Sequence, residues 1–470
     1  MKFKKIGILL LCVLMVIGGI ACSDNRENSK ITMISGDGQS VSLLDYQVYY
    51  FVEINRVLSN YANPSTIGLD MTSNLKEQRC AFDESISWAD YFSRNALSLA
   101  KEILASVIAA EQEGIVLNDE QNQNIEDMLK EIEDSAKSSN VSTADYLKEM
   151  YGPNVSLDDM RRIYTRYEIY SAYTQHTSDQ LQISQEEMDA YYEAHREEID
   201  TLTARVAPFP YTVGDEESKN EAKQKAESFK NSVVDEQTFA DTFMASMTET
   251  QLINYSGTDI TKTYNITKNS FGSDTESAEY MFDDNRQPGD MCIVDTGNIY
   301  LVMYYIEKDN KDYHTCNVRV ITASGSTYVE RQTEAERLLN EFKSAGSTEE
   351  KFIELANQFT ADTTVAAGSG GLYEDVYKGF STTEITEWCF DAQRQYGDVA
   401  IIKTSTGRGP GCNLLFYLSQ GDNYRNMLLS EKIRTARMGE IMTGLIEKYH
   451  VVADETLIDT VTELAIQRDN

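Results

Sequence analysis

Apolar positions in the first third of the chain recur with helical spacing. Leu44, Val48, Phe51 and Leu58 fall three or four residues apart, or at multiples of that, which predicts an amphipathic helix. Trp88 to Glu113 has no Gly or Pro and is rich in Ala, Leu and Ile, the composition of a long buried helix. Asn118 to Ala136 is charged and helix-prone, with Asp119 and Glu120 placed against the positive end of its dipole. Tyr146 to Tyr151 ends at Gly152-Pro153, a helix stop. Ser156 with Asp159, and Ser184 with Glu187, have the spacing of capping pairs that open two further helices. Residues 42–199 therefore read as a helical domain. A second stripe, Met438, Ile441, Met442, Leu445 and Tyr449, predicts a C-terminal helix within 424–470. It is expected to pack back on the N-terminal helices; capping the preceding domain is the alternative.

Between these helical stretches the pattern shortens to β-rich runs alternating with helices, and it repeats. EYMFDDNRQPGDMCIVDT (279–296) aligns with EWCFDAQRQYGDVAIIKT (387–404), identical at nine of 18 positions. Upstream, EAKQKAESFK (221–230) aligns with EAERLLNEFK (334–343), Phe239 with Phe352, and Ala204-Arg205-Val206 with Val318-Arg319-Val320. Several anchors in one order define two copies of one domain, 200–310 and 314–423. Each is expected to run strand, helix, helix, loop, helix, strand, strand.

The N-terminus has a different pattern. Lys2, Lys4 and Lys5 precede a 16-residue apolar run from Ile6 to Ala21, shorter than the roughly 20 residues that span a bilayer. Gly19-Ile20-Ala21-Cys22 resembles the bacterial lipoprotein box, in which the cysteine is lipidated and becomes the first residue. The resemblance implies a signal peptide over 1–21, a lipid on Cys22 and a polar tether over 22–41, holding the rest of the chain at the extracytoplasmic face of the cell membrane. An ordinary signal peptide with an incidental cysteine is the alternative.

Composition narrows the function. Acidic residues outnumber basic ones, 76 to 42, for a net charge of -34 over 470 residues. Nucleic-acid binding is excluded on that balance, since such proteins need Lys and Arg to displace phosphate counterions. Of the seven cysteines, Cys12 lies in the leader and Cys22 in the box. Cys80, Cys292, Cys316, Cys389 and Cys412 remain, an odd and widely spaced set. Aligned across the repeat, Cys389 matches Met281, Cys292 matches Ala400, Cys412 matches Ile299 and Cys316 matches Leu202. Apolar partners assign these thiols to packing. There is no CxxC pair and no HExxH, so no metal site and no cofactor is expected.

The second copy resembles a parvulin-type prolyl isomerase domain. The resemblance is carried by NVRVI (317–321), TEAERLLNEFKSAG, FIELANQF (352–359), Asp362, Gly370-Gly371-Leu372-Tyr373, Lys378-Gly379, Trp388, Phe390, Gly397-Asp398 and the strand NLLFYLS. The whole layout is similar to the SurA/PrsA group of secreted foldases, lipoproteins of Gram-positive anaerobes in particular. It implies an α+β protein: a helical chaperone domain completed by a C-terminal helix, with two tandem parvulin-like domains between. The first copy lacks the Gly-Gly-Leu loop and is degenerate.

In that family isomerisation is non-covalent. A barrier of about 20 kcal/mol arises from the amide's double-bond character. The implied site lowers it with a tight apolar pocket and a network of two histidines and a Cys or Asp. This chain departs from the pattern. Val320 follows Arg319 and Asn413 follows Gly411-Cys412 where the histidines belong; the first copy has Val206 and Tyr300 there. The four histidines are His176, His195, His314 and His450. His314 is six residues from Val320, about 20 Å along a strand, too far to substitute. The Cys/Asp position falls on Thr363 or Asp362. The resemblance thus implies Asp362, Thr363 and Asn413 as catalytic candidates, and Phe380, Ile385, Trp388 and Phe390 as proline-binding ones.

Three functions follow from this. A membrane-anchored chaperone would bind unfolded, newly secreted polypeptides on a parvulin scaffold with weak or absent catalysis. An active isomerase would use the second copy. A solute-binding lipoprotein would need βαβ alternation over most of the chain, which the 160 helical residues at the start do not supply. No nucleophile–base pair for a hydrolase can be named. Dimerisation through the N-terminal helices is left open.

Overall fold

The computed structural model of the chain describes residues 26–61, 63–248, 260–365, 368–404 and 410–466. The expected signal peptide and Cys22 lie outside the described residues. Two compact units emerge, one from Met1–Gln182 with Arg434–Asn470 and one from Ile183–Ile433.

The first unit opens with a hairpin of β1 (Thr32–Gly36) and β2 (Gln39–Ser42). Asp37 and Gly38 turn it with φ of 34° and 83°, the double positive φ that matches strand twist in two-residue hairpins. Met33, Ile34 and Val41 are buried. This corrects the expectation of a tether over 22–41: its second half is folded, because Met33, Ile34 and Val41 find a core. Helix α1 (Leu43–Asn60) follows, capped by Ser42, whose hydroxyl accepts from Asp45 N at 3.1 Å. Leu44, Val48 and Phe51 are buried, with Leu58 packed at the edge of the cluster.

A small hairpin of β3 (Arg79–Cys80) and β4 (Asp83–Ser87) leads into α2 (Trp88–Glu113), which has a Ser87/Asp90 capping box and ends at Gly114 with φ of 70°. Helix α3 (Asp119–Ser138) is boxed by Asn118 and Gln121. Helix α4 (Thr143–Tyr151) stops at Gly152. There the Gln47 amide donates to the carbonyls of Tyr151 (2.9 Å) and Pro153 (3.0 Å), and a Cβ on Gly152 would sit 2.7 Å from Gln47 Nε2. Helix α5 (Leu157–Gln180) opens with the Ser156/Asp159 box.

The second unit begins with α6 (Gln185–Ile199), boxed by Ser184 and Glu187. There follow β5 (Thr201–Pro210), α7 (Glu216–Ser232), α8 (Glu236–Ala245), β6 (Lys262–Ile266), α9 (Thr275–Phe282), β7 (Met291–Asp295) and β8 (Ile299–Asp309). The same order then recurs: β9 (His314–Thr322), α10 (Tyr328–Ser344), α11 (Glu349–Phe359), β10 (Leu372–Val376), α12 (Thr383–Cys389), β11 (Val399–Thr404) and β12 (Gly411–Asn423). The two antiparallel sheets run β6-β5-β8-β7 and β10-β9-β12-β11. The stretch expected as a plain loop after the second helix of each copy contains a fourth strand, β6 or β10.

Strand register refines the alignment of the copies. Arg205 and Met291 both face Tyr304, as Arg319 and Val399 both face Phe416. Val294 faces Leu301 and Ile402 faces Asn413. Asn413 therefore corresponds to Leu301 rather than Tyr300, and Cys412 to Tyr300 rather than Ile299. The β11–β12 connection is longer than the β7–β8 one, which shifts the sequence alignment across it.

Side chains of β12 alternate between two cores. Leu414 and Phe416 pack under α10 and α11 with Phe342 and Phe352; Leu415 and Tyr417 face Val318, Ile385 and Cys389. The five described cysteines are free and buried. Helix α13 (Tyr424–Lys448) starts in this unit, where Leu429 packs on Tyr192 and Ile199.

Beyond Ile433 the chain belongs to the first unit. Met442, Leu445 and Tyr449 are buried in the core that holds α1 and α2, and Tyr449 Oη donates to Gln112 at 3.1 Å. Strand β13 (Val452–Ala453) pairs with β1, Ala453 facing Ile34, and α14 (Ile458–Ile466) buries Val461 and Ala465. Among the described residues no helix is long and apolar enough to cross a membrane.

Candidate functional site

The sheet of the second copy carries a cavity of about 510 Å³ on the side away from α11. Strand β9 supplies Val318, Val320 and Thr322, alternate residues that share a face. Strand β10 adds Tyr373 and Val376, the start of α12 adds Ile385, and the segment before it adds Phe380, Ser381 and Thr382. Thr404, Cys412 and Asn413 close the far end, with Arg331 of α10 at the edge.

Two glycines let β10 approach. Gly371 has φ of 70°, accepts from Val320 N at 2.8 Å, and would drive any Cβ into the Val320 carbonyl. Gly370, with φ of 64°, lies against Arg319, whose Nη1 donates to the carbonyls of Ser369 (2.8 Å) and Gly370 (3.2 Å).

The polar groups form two sets. At one edge the Asp362 carboxylate accepts from Thr364 N (2.7 Å), Thr364 Oγ1 (2.6 Å) and the Tyr373 hydroxyl. Burial, and then this bond to Asp362, push the Tyr373 phenol up to about 12. At the other end Asn413 accepts from Thr322 Oγ1 at 2.9 Å and donates to Thr404 Oγ1 at 3.2 Å. Arg331 spends Nε on the Gly325 carbonyl (2.9 Å) and Nη1 on that of Pro410 (2.6 Å). The Thr382 hydroxyl is buried with no hydrogen-bond partner among the described residues. Phe380 is 43% exposed and meets Tyr373 and Tyr377 edge-on, with ring centroids 5.8 and 5.6 Å away.

Of the residues singled out from sequence, Asp362, Asn413, Phe380 and Ile385 line this cavity. Thr363 is exposed and is not among the lining residues. Trp388 and Phe390 pack against the cluster of Cys316, Val318 and Tyr417; Trp388 carries the Arg394 guanidinium 4.8 Å from its ring centroid, and Phe390 meets Tyr313 edge-on at 5.5 Å. His314 is exposed, its Nδ1 3.0 Å from the Gly421 carbonyl. Sequence reasoning did not single out Thr322, Thr404, Thr382 or Arg331. Thr322 had a signal: it continues the i, i+2 face of Val318 and Val320. The other three are polar residues with no periodicity to mark them.

No described residue lining the cavity is a histidine. Val320 offers only a methyl surface, and both ends of the Asn413 amide are taken by threonines. The arrangement can hold an apolar ring or chain and offer hydroxyls to a peptide. It has no imidazole to shuttle a proton. Among the described residues no group of three or more His, Cys, Asp or Glu is placed to hold a metal ion.

No protein-family model and no curated protein matches the chain. Solved structures that it resembles include PrsA from Bacillus subtilis, at 11% identity over 80% of this chain and 93% of that one, with a TM-score of 0.25. The PrsA peptidylprolyl isomerase of Bacillus anthracis is 13% identical over 64% and 97%, with a TM-score of 0.21. The foldase protein PrsA of Streptococcus pneumoniae is 10% identical over 93% and 94%, with a TM-score of 0.22. Whole-chain superposition is poor in all three.

Proposed function

We propose that the protein is an extracytoplasmic chaperone, anchored through a lipid on Cys22, that binds unfolded secreted polypeptides on a parvulin scaffold with weak or absent isomerase activity. The observation that carries this reading is the cavity's combination of apolar walls with Val320 and Asn413 at the positions where the resembled family has histidines. An extended segment would lay a proline or aliphatic side chain against Phe380, Val320 and Ile385. Burying such a side chain is worth about 1.5–3 kcal/mol, the scale of weak, reversible client binding. The acidic surface would steer basic clients toward the protein.

Aggregation of a chemically denatured model substrate, followed by light scattering, tests the reading. The protein is expected to suppress scattering at equimolar amounts, and Phe380→Ala to weaken the effect. No suppression at several-fold excess contradicts it. The anchor is tested separately by mass spectrometry of the mature N-terminus, which is expected to begin at a diacylglyceryl-modified Cys22.

The second reading, an active isomerase, draws on the Asp362–Tyr373 bond at the cavity edge, which could polarise a bound amide. It requires turnover without imidazole, which the rate of prolyl cis/trans exchange in a bound peptide decides.

A further inference from the structure

The cavity's outer wall is held from outside its own sheet. The wall is the segment 376–387, which supplies Val376, Phe380, Ser381, Thr382 and Ile385. Within the second copy it is tied by the pairing of Val376 with Cys316, by Gly379 N to Thr386 Oγ1 (3.3 Å), by Thr386 N to the Thr382 carbonyl (3.0 Å) and by the turn bond from Phe380 N to the Tyr377 carbonyl (2.9 Å), and the linker adds Lys378 N to Tyr313 Oη (3.2 Å). Strand β6 of the first copy supplies three more contacts. Asn265 Nδ2 donates to the Lys378 carbonyl at 2.8 Å, Thr383 Oγ1 donates to the Lys262 carbonyl at 3.2 Å, and Lys262 Nζ pairs with Glu387 at 2.9 Å.

Asn265 is itself fixed. Its backbone is left-handed, with φ of 58°, and its Oδ1 accepts from Lys311 Nζ at 2.5 Å. Lys311 lies in the linker between the copies. Its ammonium is buried, 3.1 Å from the Asp309 carboxylate and bonded to the Thr201 hydroxyl. The steric fit is tight on the other side. Gly379 has φ of 79°, and a Cβ there would lie 2.5 Å from Asn265 Nδ2 and 2.9 Å from Tyr264 Cβ. A buried ion pair thus orients one amide, and that amide orients the carbonyl at the base of the Phe380 turn.

We propose that the first copy is a positioning element for the second: Asn265, set by Lys311 and Asp309, latches the wall that shapes the peptide cavity. This rests on the reading of that cavity as a peptide site, and it gives the degenerate copy a role that needs no ligand of its own. Asn265 is a positioning residue and touches no client.

The test compares the leaderless full-length protein with Asn265→Asp and with Lys262→Met. The aspartate tolerates the left-handed backbone and keeps the contact with Lys311, but it sets an oxygen against the Lys378 carbonyl. Amide hydrogen exchange resolved by peptide, and titration with the blocked tetrapeptide Ala-Leu-Pro-Phe, are the readouts. In Asn265→Asp, exchange within 377–387 is expected to rise while that of β9 and β12 stays unchanged. Tetrapeptide affinity is expected to fall roughly three- to tenfold, the scale of one lost hydrogen bond. Lys262→Met should act in the same direction. Unchanged exchange across 377–387 in both variants overturns the latch, as does unchanged affinity with a loosened wall. Failure of the unsubstituted protein to bind the tetrapeptide overturns instead the peptide-site reading, and exchange then still decides whether the wall is latched.

Discussion

Arg319 Nε donates to Glu349 Oε1 at 3.0 Å, joining the first strand of the second copy to the start of its second helix, and the guanidinium continues to the carbonyls of Ser369 and Gly370. The first copy repeats the contact: Arg205 Nε donates to Glu236 Oε1 at 3.1 Å. Both arginines are nearly buried, but the carboxylates differ, with Glu349 26% and Glu236 42% exposed. Breaking a pair costs more where solvent cannot replace the lost partner. Glu349→Gln is therefore expected to destabilise by about 1–2 kcal/mol and Glu236→Gln by less than about 1 kcal/mol. Urea unfolding checks this by tryptophan fluorescence, Trp88 reporting one unit and Trp388 the other.

Gly371→Ala is predicted to be the most damaging single-methyl change at the site. It combines a positive φ with a Cβ aimed at the Val320 carbonyl. The expected cost is about 2 kcal/mol or more, from backbone strain and a lost β9–β10 bond. The same urea experiment, together with hydrogen exchange of Val320, measures it.

Asn413→Leu would leave the Thr322 and Thr404 hydroxyls facing an apolar side chain. Each currently bonds Asn413, which is 8% exposed. A loss of about 1–3 kcal/mol is expected. Replacing all three residues with Val and Leu should recover most of it, since removing every partner avoids stranding any one of them.

Stability should decline in alkali. The folded Tyr373 phenol titrates near 12, raised by burial and by Asp362, against an ordinary value of 10. A raised folded value stabilises fully below the unfolded value and is lost as pH rises through the folded one. The Tyr373 contribution is thus intact below about pH 10 and falls away between about pH 10 and 12. Tyr373→Phe should make this decline shallower in urea unfolding without abolishing it, since burial also raises Tyr46, Tyr192 and Tyr424 to about 12.

Helices were legible in the sequence because their signals are local. The capping pairs Ser156/Asp159 and Ser184/Glu187 sit at the starts of α5 and α6, and the Gly- and Pro-free run from Trp88 to Glu113 is α2 itself. The β1–β13 pairing was not legible. It joins Ile34 to Ala453 through a two-residue strand too short to carry a period. At the cavity, Gly370-Gly371 stood out in the sequence only as part of the family resemblance; the close backbone approach they permit, at φ values only glycine takes cheaply, is seen in the structure. Thr382 and Thr404 gave no such notice, because short polar residues look alike in strands and in loops. The hold of Asn265 on Lys378 spans 113 residues and links two copies that sequence comparison can only align side by side.

The most direct test of the account is two-dimensional exchange NMR of the blocked tetrapeptide Ala-Leu-Pro-Phe with the leaderless protein and with Phe380→Ala. The account predicts line broadening that Phe380→Ala weakens, with prolyl cis/trans exchange at or near the uncatalysed rate of tens to hundreds of seconds. Exchange accelerated to the millisecond range would contradict the absence of a working catalytic network and make Asp362 and Tyr373 the next residues to replace. Broadening unaffected by Phe380→Ala would place the peptide elsewhere and contradict the assignment of the cavity.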